Sequence, residues 1–76
     1  MSITVTIRYS KVSYNLRFDD SQQISGLLRI LGEAGLMTTS IENAEVKSLR
    51  RLEYLDLGKT FKEEEIFSGD ILEVHV

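Results

Sequence analysis

The chain has 76 residues, 42% of them apolar and 28% charged, and carries a formal net charge of -3 at neutral pH. That length supports one core and therefore a single domain over residues 1–76, with the composition of an ordinary globular chain and not of a disordered one. The absence of cysteine excludes disulfides, iron–sulfur clusters and thiolate zinc sites, and the acidic balance argues against general affinity for nucleic acid.

The stretch Met1 to Thr6 lacks the basic segment and long apolar run of a secretion signal, and no stretch of the sequence is long and apolar enough to span a bilayer. A cytoplasmic location without membrane insertion is expected. From Ile3 to Tyr9 apolar residues alternate with Thr4, Thr6 and Arg8, the pattern of a half-buried strand. After a turn around Ser10-Lys11-Val12-Ser13 the alternation returns as Tyr14, Leu16 and Phe18 against Asn15 and Arg17, so the two strands should form a hairpin.

At Asp19-Asp20-Ser21 the period changes. Ile24, Leu27, Leu28, Leu31 and Ala34 fall on one helical face, with Asp20 or Ser21 as the cap, Gln23 as the capping-box partner of Asp20, and Gly35 as the stop. Gly26 and Gly32 lower helix propensity, and a close approach of helix to sheet would account for both. Thr38 to Asn43 reads as a loop. Ala44 to Leu49 and Glu53 to Leu55 read as two short strands joined around Arg50-Arg51.

Thr60-Phe61-Lys62-Glu63 is a second capping-box pattern, opening one helical turn that Phe61, Ile66 and Phe67 would pin to the core. Ser68-Gly69-Asp70 turns the chain into a last strand, Ile71 to Val76, with Leu72, Val74 and Val76 on one face and Ile71, Glu73 and His75 on the other. The plan is α+β: a mixed sheet, one main helix on one face, the last strand parallel to the first, and the opposite face wet.

This arrangement resembles the ubiquitin-like β-grasp fold over nearly the whole chain. The resemblance is carried by Gly58-Lys59-Thr60-Phe61, by Ile66, and by Ser68-Gly69-Asp70-Ile71-Leu72-Glu73-Val74, with Ile3, Val5, Ile24, Leu27 and Leu31 at core positions. Within that superfamily the length, the Gly-Asp-Ile-Leu run and termination just after the last strand resemble the EsaB/YukD family of small bacterial proteins. That resemblance implies a non-enzymatic, cytosolic accessory of type VII secretion whose protein partner belongs to the membrane-bound secretion machinery. Ubiquitins that are conjugated, and sulfur carriers, end in a flexible Gly-Gly tail; with His75-Val76 as the native end, neither activity is expected, and a longer C-terminus would restore a carrier as an alternative.

No cofactor, metal or small-molecule site is indicated. His75 has neither a cysteine nor a serine partner and reads as a surface histidine; Glu63-Glu64-Glu65 reads as a solvated turn; Asp19-Asp20 reads as helix capping and not as an acid/base pair. What remains is a protein-binding face made of Arg8, Lys47, Leu49, Arg50, Arg51, Glu73 and His75, in which Leu49 stands where ubiquitin presents the isoleucine of its recognition patch. Thr4 and Thr6 belong to the same wet side. A slip of one residue in register would instead turn Leu49 inward. Arg8, Lys47, Arg50 and Arg51 could alternatively serve a nucleic-acid-binding regulator, and open strand edges leave room for self-association.

Overall fold

A computed structural model describes residues 1–36 and 43–75. Its elements are β1 (Ser2–Tyr9), β2 (Val12–Asp19), α1 (Ser25–Glu33), β3 (Glu45–Ser48), β4 (Glu53–Tyr54) and β5 (Ile71–His75), and the strands make one sheet in the order β2-β1-β5-β3-β4. β1 and β2 pair antiparallel from Ser2 opposite Asp19 to Tyr9 opposite Val12, as the repeated alternation requires. β5 runs parallel to β1, placing Ile7 beside Leu72. This parallel pair at the centre of the sheet joins the two ends of the chain.

The alternation sorts residues by face. Ile3, Val5 and Ile7 of β1, Val46 of β3 and Leu72 and Val74 of β5 point into a core that Ile24, Leu27, Leu28 and Leu31 close from the helical side. Phe61 is fully buried and stacks on Phe18 with ring centroids 4.9 Å apart. Tyr9, Tyr14, Leu16 and Leu57 pack partly buried around this cluster. The fully buried Ser48 hydroxyl accepts the Arg51 N–H at 3.3 Å, so no polar atom is stranded there.

Four sequence expectations need correction. The helix starts at Ser25, and neither Asp20 nor Ser21 caps it. Asp19 Oδ1 instead accepts the Ser21 N–H and hydroxyl, while the Asp19 N–H donates to Gln22 Oε1, which shifts the capping box one residue back and ahead of the helix. The chain from Gln22 to Ser25 is fastened to another segment: Phe61 N–H donates to Gln22 O, Ile24 N–H to Lys59 O and Ser25 N–H to Leu57 O. These backbone bonds satisfy groups that an earlier helix start would have used locally.

The glycines are the second correction. A Cβ on Gly26 or Gly32 would meet nothing within 4 Å, so close helix–sheet approach explains neither. The expected helix stop does form: Gly35 has φ +72, Leu36 N–H donates to Leu31 O at 2.9 Å and Gly35 N–H to Gly32 O at 3.1 Å, the paired bonds of a Schellman motif. Third, Phe67 is 60% exposed and is not pinned to the core; only Phe61 and Ile66 are. Fourth, β4 is two residues long, and Leu55 just beyond it is buried while its N–H donates to Val46 O. Residues 37–42, which take in 38–42 of the expected loop, and Val76 lie outside the described residues.

Candidate functional site

The sheet face away from the helix follows from the same alternation. With Ile3, Val5 and Ile7 buried, Thr4, Thr6 and Arg8 face the other way. Strand register then sets Arg8 beside Glu73, Glu73 beside Lys47, and Lys47 beside Tyr54, a row that crosses β1, β5, β3 and β4. Leu49 extends the ladder of β3 past its last assigned residue, because its N–H donates to Ile71 O at 3.0 Å. Its neighbour Ser48 is fully buried, so Leu49 is directed outward, opposite Ile71. Both are half-buried and make a small apolar pair beside the charged row.

Ring and charge contacts order this row. His75 Nε2 lies 2.6 Å from Glu73 Oε1, and the His75 ring meets Tyr54 edge-on with centroids 5.8 Å apart. Lys47 Nζ sits 5.7 Å from the centroid of the Tyr54 ring, within cation–π range. Among the described residues neither Arg8 nor Lys47 reaches a carboxylate at ion-pair distance, although Glu73 stands between them. Glu45, beside His75, is the other carboxylate at this end of the face. Arg8, Lys11, Glu73 and His75 also line a shallow depression of about 260 Å³ where β1 and β5 meet the hairpin turn.

Arg50 and Arg51, assigned from the sequence to the same surface, are committed elsewhere. Arg50 Nε lies 2.5 Å from Asp70 Oδ1, its Nη2 donates to Glu65 O at 2.8 Å, and its guanidinium stacks over Phe67 at 5.5 Å. Arg51 Nη1 donates to Glu64 O and Nη2 pairs with Glu53 Oε2 at 2.7 Å. Both arginines tie the β3–β4 turn to the segment 64–70. The structure thus divides the sequence-derived set: Arg8, Lys47, Leu49, Glu73 and His75 come together on the sheet, whereas Arg50 and Arg51 act as struts at its rim. A four-residue basic patch for nucleic acid is correspondingly reduced to Arg8 and Lys47.

No family model matches the chain, and no curated protein matches its sequence. Solved structures do match. The ubiquitin-like domain of an Arabidopsis thaliana protein is similar with a TM-score of 0.81 and 17% identity, covering 99% of this chain and 77% of that one. A de novo design based on ubiquitin gives 0.77 and 20% identity over 97% of this chain and 87% of the design. The EccD5 ubiquitin-like domain from Mycobacterium xenopi gives 0.72 and 20% identity over 99% and 93%. The fold is the ubiquitin-like β-grasp.

Elsewhere in this ubiquitin-like domain the acidic residues serve structure. Glu63 Oε1 accepts the Thr60 N–H at 2.9 Å while Thr60 Oγ1 accepts the Glu63 N–H at 3.0 Å, the reciprocal box expected from the sequence. Glu64 Oε2 accepts the Asp56 N–H at 2.8 Å. The run 63–65 is therefore not simply solvated, because two of its carboxylates hold backbone donors. Thr60 holds the Glu63 carboxyl below the usual glutamate range through its backbone N–H, and Ser21 does the same for Asp19. No group of three or more potential metal ligands exists among the described residues.

Tyr54 and Ile71 join the candidate surface without having been singled out in the sequence. Ile71 lies on the outer face of a strand whose residues are mostly apolar, so the sequence alone does not distinguish it as a contact residue. Tyr54 sits in a two-residue strand, too short for alternation to show which way its ring points. Its proximity to Lys47 and His75 depends on the β3–β4 register, which no local pattern encodes.

Proposed function

We propose that this chain is a single non-enzymatic ubiquitin-like protein-binding module acting through the outer face of its sheet, as a cytosolic accessory of a bacterial type VII secretion system. The outward pair Leu49 and Ile71, bordered by Arg8, Lys47, Tyr54, Glu73 and His75, carries the binding part of this reading. A small apolar centre inside a polar rim is the anatomy of a recognition surface: apolar contact supplies affinity, and the surrounding charges supply orientation and discrimination. The sequence resemblance to the EsaB/YukD family supports the secretion assignment, and the structural likeness to the EccD5 domain points the same way. No helix among the described residues is long and apolar enough to cross a membrane.

The test is capture from a bacterial lysate containing type VII components, with wild-type and Leu49→Asp proteins as paired baits. Components of the secretion machinery should be recovered by the wild-type bait and lost with Leu49→Asp, after thermal unfolding has shown both baits to be folded. Identical recovery by the two baits, or none of the machinery with either, removes the reading.

A further inference from the structure

We propose that two copies of this chain pair edge to edge through β2, antiparallel about a two-fold axis at Asn15, to make one continuous sheet. The inference goes beyond the outer-face reading above and does not depend on it: the partner is a second copy, and the surface is a sheet edge.

The ladder fixes which groups the edge offers. Thr6 N–H donates to Asp70 O and Gly69 N–H to Thr4 O, so even-numbered residues of β1 bond toward β5 and odd-numbered ones toward β2. Val5 lies opposite Leu16, so even-numbered residues of β2 bond back to β1, and the N–H and C=O groups of Ser13, Asn15 and Arg17 point away from the sheet. β2 is an outermost strand, and nothing among the described residues bonds to those groups. An eight-residue edge without proline, lysine or bulge lacks the features by which exposed edges usually avoid pairing. The opposite edge, β4, is only two residues long.

Register selects a second copy. With the axis at Asn15, Asn15 faces Asn15 and Ser13 faces Arg17 on either side, so every outward group of the edge is bonded. On the helix side the exposed Val12 meets Phe18, and the half-buried Tyr14 and Leu16 cover one another. Centring on Leu16 instead puts Ser13 opposite Asp19, whose N–H already donates to Gln22 Oε1. Centring on Tyr14 puts Arg17 opposite Lys11, a like charge inside the hairpin turn. A second copy also brings its strand already extended along β1, whereas a free peptide would lose backbone freedom on docking. The assembly closes at two: both β2 edges are consumed, and the β4 borders that remain are too short to continue the sheet. Because the axis stands perpendicular to the sheet, both helices lie on one side and both Leu49–Ile71 pairs on the other, with the two β5 strands about 24 Å apart. The dimer thus offers the outer face twice to one partner.

Sedimentation velocity of the full chain, over a concentration series reaching about 1 mM, reads the association directly. The mass should rise from monomer to dimer within that range and no further. Asn15→Pro removes an outward N–H and no bond to β1, and the axis repeats the loss, so it should weaken the dimer at least about tenfold while the protein stays folded. Single cysteines in this cysteine-free chain report the register even where the proline unfolds the domain. Facing residues of a hydrogen-bonded antiparallel pair have Cα atoms about 5.5 Å apart, within disulfide reach, so Asn15→Cys should form covalent dimers in a glutathione redox buffer. Arg17→Cys, about 14 Å from its mate, should crosslink poorly alone and efficiently when mixed with Ser13→Cys. The proposal is overturned by a wild-type chain that stays monomeric throughout, by a folded Asn15→Pro that dimerises as tightly as the wild type, by growth beyond the dimer, or by Arg17→Cys crosslinking alone as readily as Asn15→Cys.

Discussion

Arg50 Nε lies 2.5 Å from Asp70 Oδ1, and the Asp70 side chain is 3% exposed while that of Arg50 is 47% exposed. The acid is thus the buried member of the pair, and its other oxygen accepts the Phe67 N–H at 3.1 Å. One carboxylate closes the turn leading into β5 and fastens it to the β3–β4 turn. This link holds both borders of the candidate surface, since Leu49 precedes Arg50 and Ile71 follows Asp70 in the chain.

Removing the buried partner should therefore cost far more than trimming the exposed one. Asp70→Ala leaves the Phe67 N–H without its acceptor and the Arg50 guanidinium without its charge partner, and is expected to lower stability by about 3 kcal/mol. Arg50→Lys keeps a positive charge near Asp70 but cannot also reach Glu65 O with a planar fork, and should lower it by about 1 kcal/mol. Urea unfolding of the two variants measures this. Equal losses would mean that the Phe67 bond adds nothing and that Asp70 acts through Arg50 alone.

The helix glycines give effects of opposite sign. Gly26 and Gly32 have open space where a Cβ would go, so Gly26→Ala and Gly32→Ala should each stabilise by up to about 1 kcal/mol through reduced backbone freedom in the unfolded chain. Gly35 also has open space, but its φ of +72 is strained for any residue with a Cβ, and Gly35→Ala should destabilise by about 1 to 2 kcal/mol. Thermal midpoints of the three variants separate conformation from space. A stabilising Gly35→Ala would contradict the left-handed stop.

The sheet was legible because alternation is local and strong: Ile3, Val5 and Ile7 against Thr4, Thr6 and Arg8 define both faces of β1 before any pairing is known. The parallel union of β1 with β5 was legible because both strands carry apolar inward faces and a helix lies in the connection between them. The helix start was not, since Gln22 to Ser25 are held by backbone bonds from Leu57, Lys59 and Phe61, partners more than thirty residues away in sequence. At the candidate site, Leu49 and Glu73 could be placed by counting along strands. Separating Arg50 and Arg51 from Arg8 and Lys47 required knowing where Asp70, Glu64 and Glu65 lie, because identical charges one residue apart in sequence were drawn to different acceptors in space.

The β1–β2 hairpin turns through Ser10 and Lys11, both with positive φ, at 52 and 67 degrees. Two-residue loops of this kind match the twist of the flanking strands but favour Asn followed by Gly, since other residues pay a steric cost in the left-handed region. Ser10→Asn with Lys11→Gly should raise stability by about 1 kcal/mol, read as a higher urea midpoint at an unchanged slope. A loss of stability would show that the Lys11 side chain makes a compensating contact at this end of the sheet.

Acid stability should depend on Glu63 and Asp19. Both have folded-state values held below their ordinary ones, Glu63 first by the Thr60 N–H and Asp19 first by the Ser21 N–H. A depressed carboxyl contributes stability above its unfolded value, about 4.3 for glutamate and about 3.9 for aspartate, and that contribution is lost as pH falls through the lower folded value. Glutamine at position 63 and asparagine at position 19 can still accept the same N–H groups but do not titrate. The Glu63→Gln, Asp19→Asn double variant should therefore lose less stability than the wild type when acidified from about pH 6 to about pH 3, measured as the shift in urea midpoint with pH. Parallel curves for the two proteins would show that both carboxyls are equally bonded in the unfolded chain and that acid sensitivity arises elsewhere.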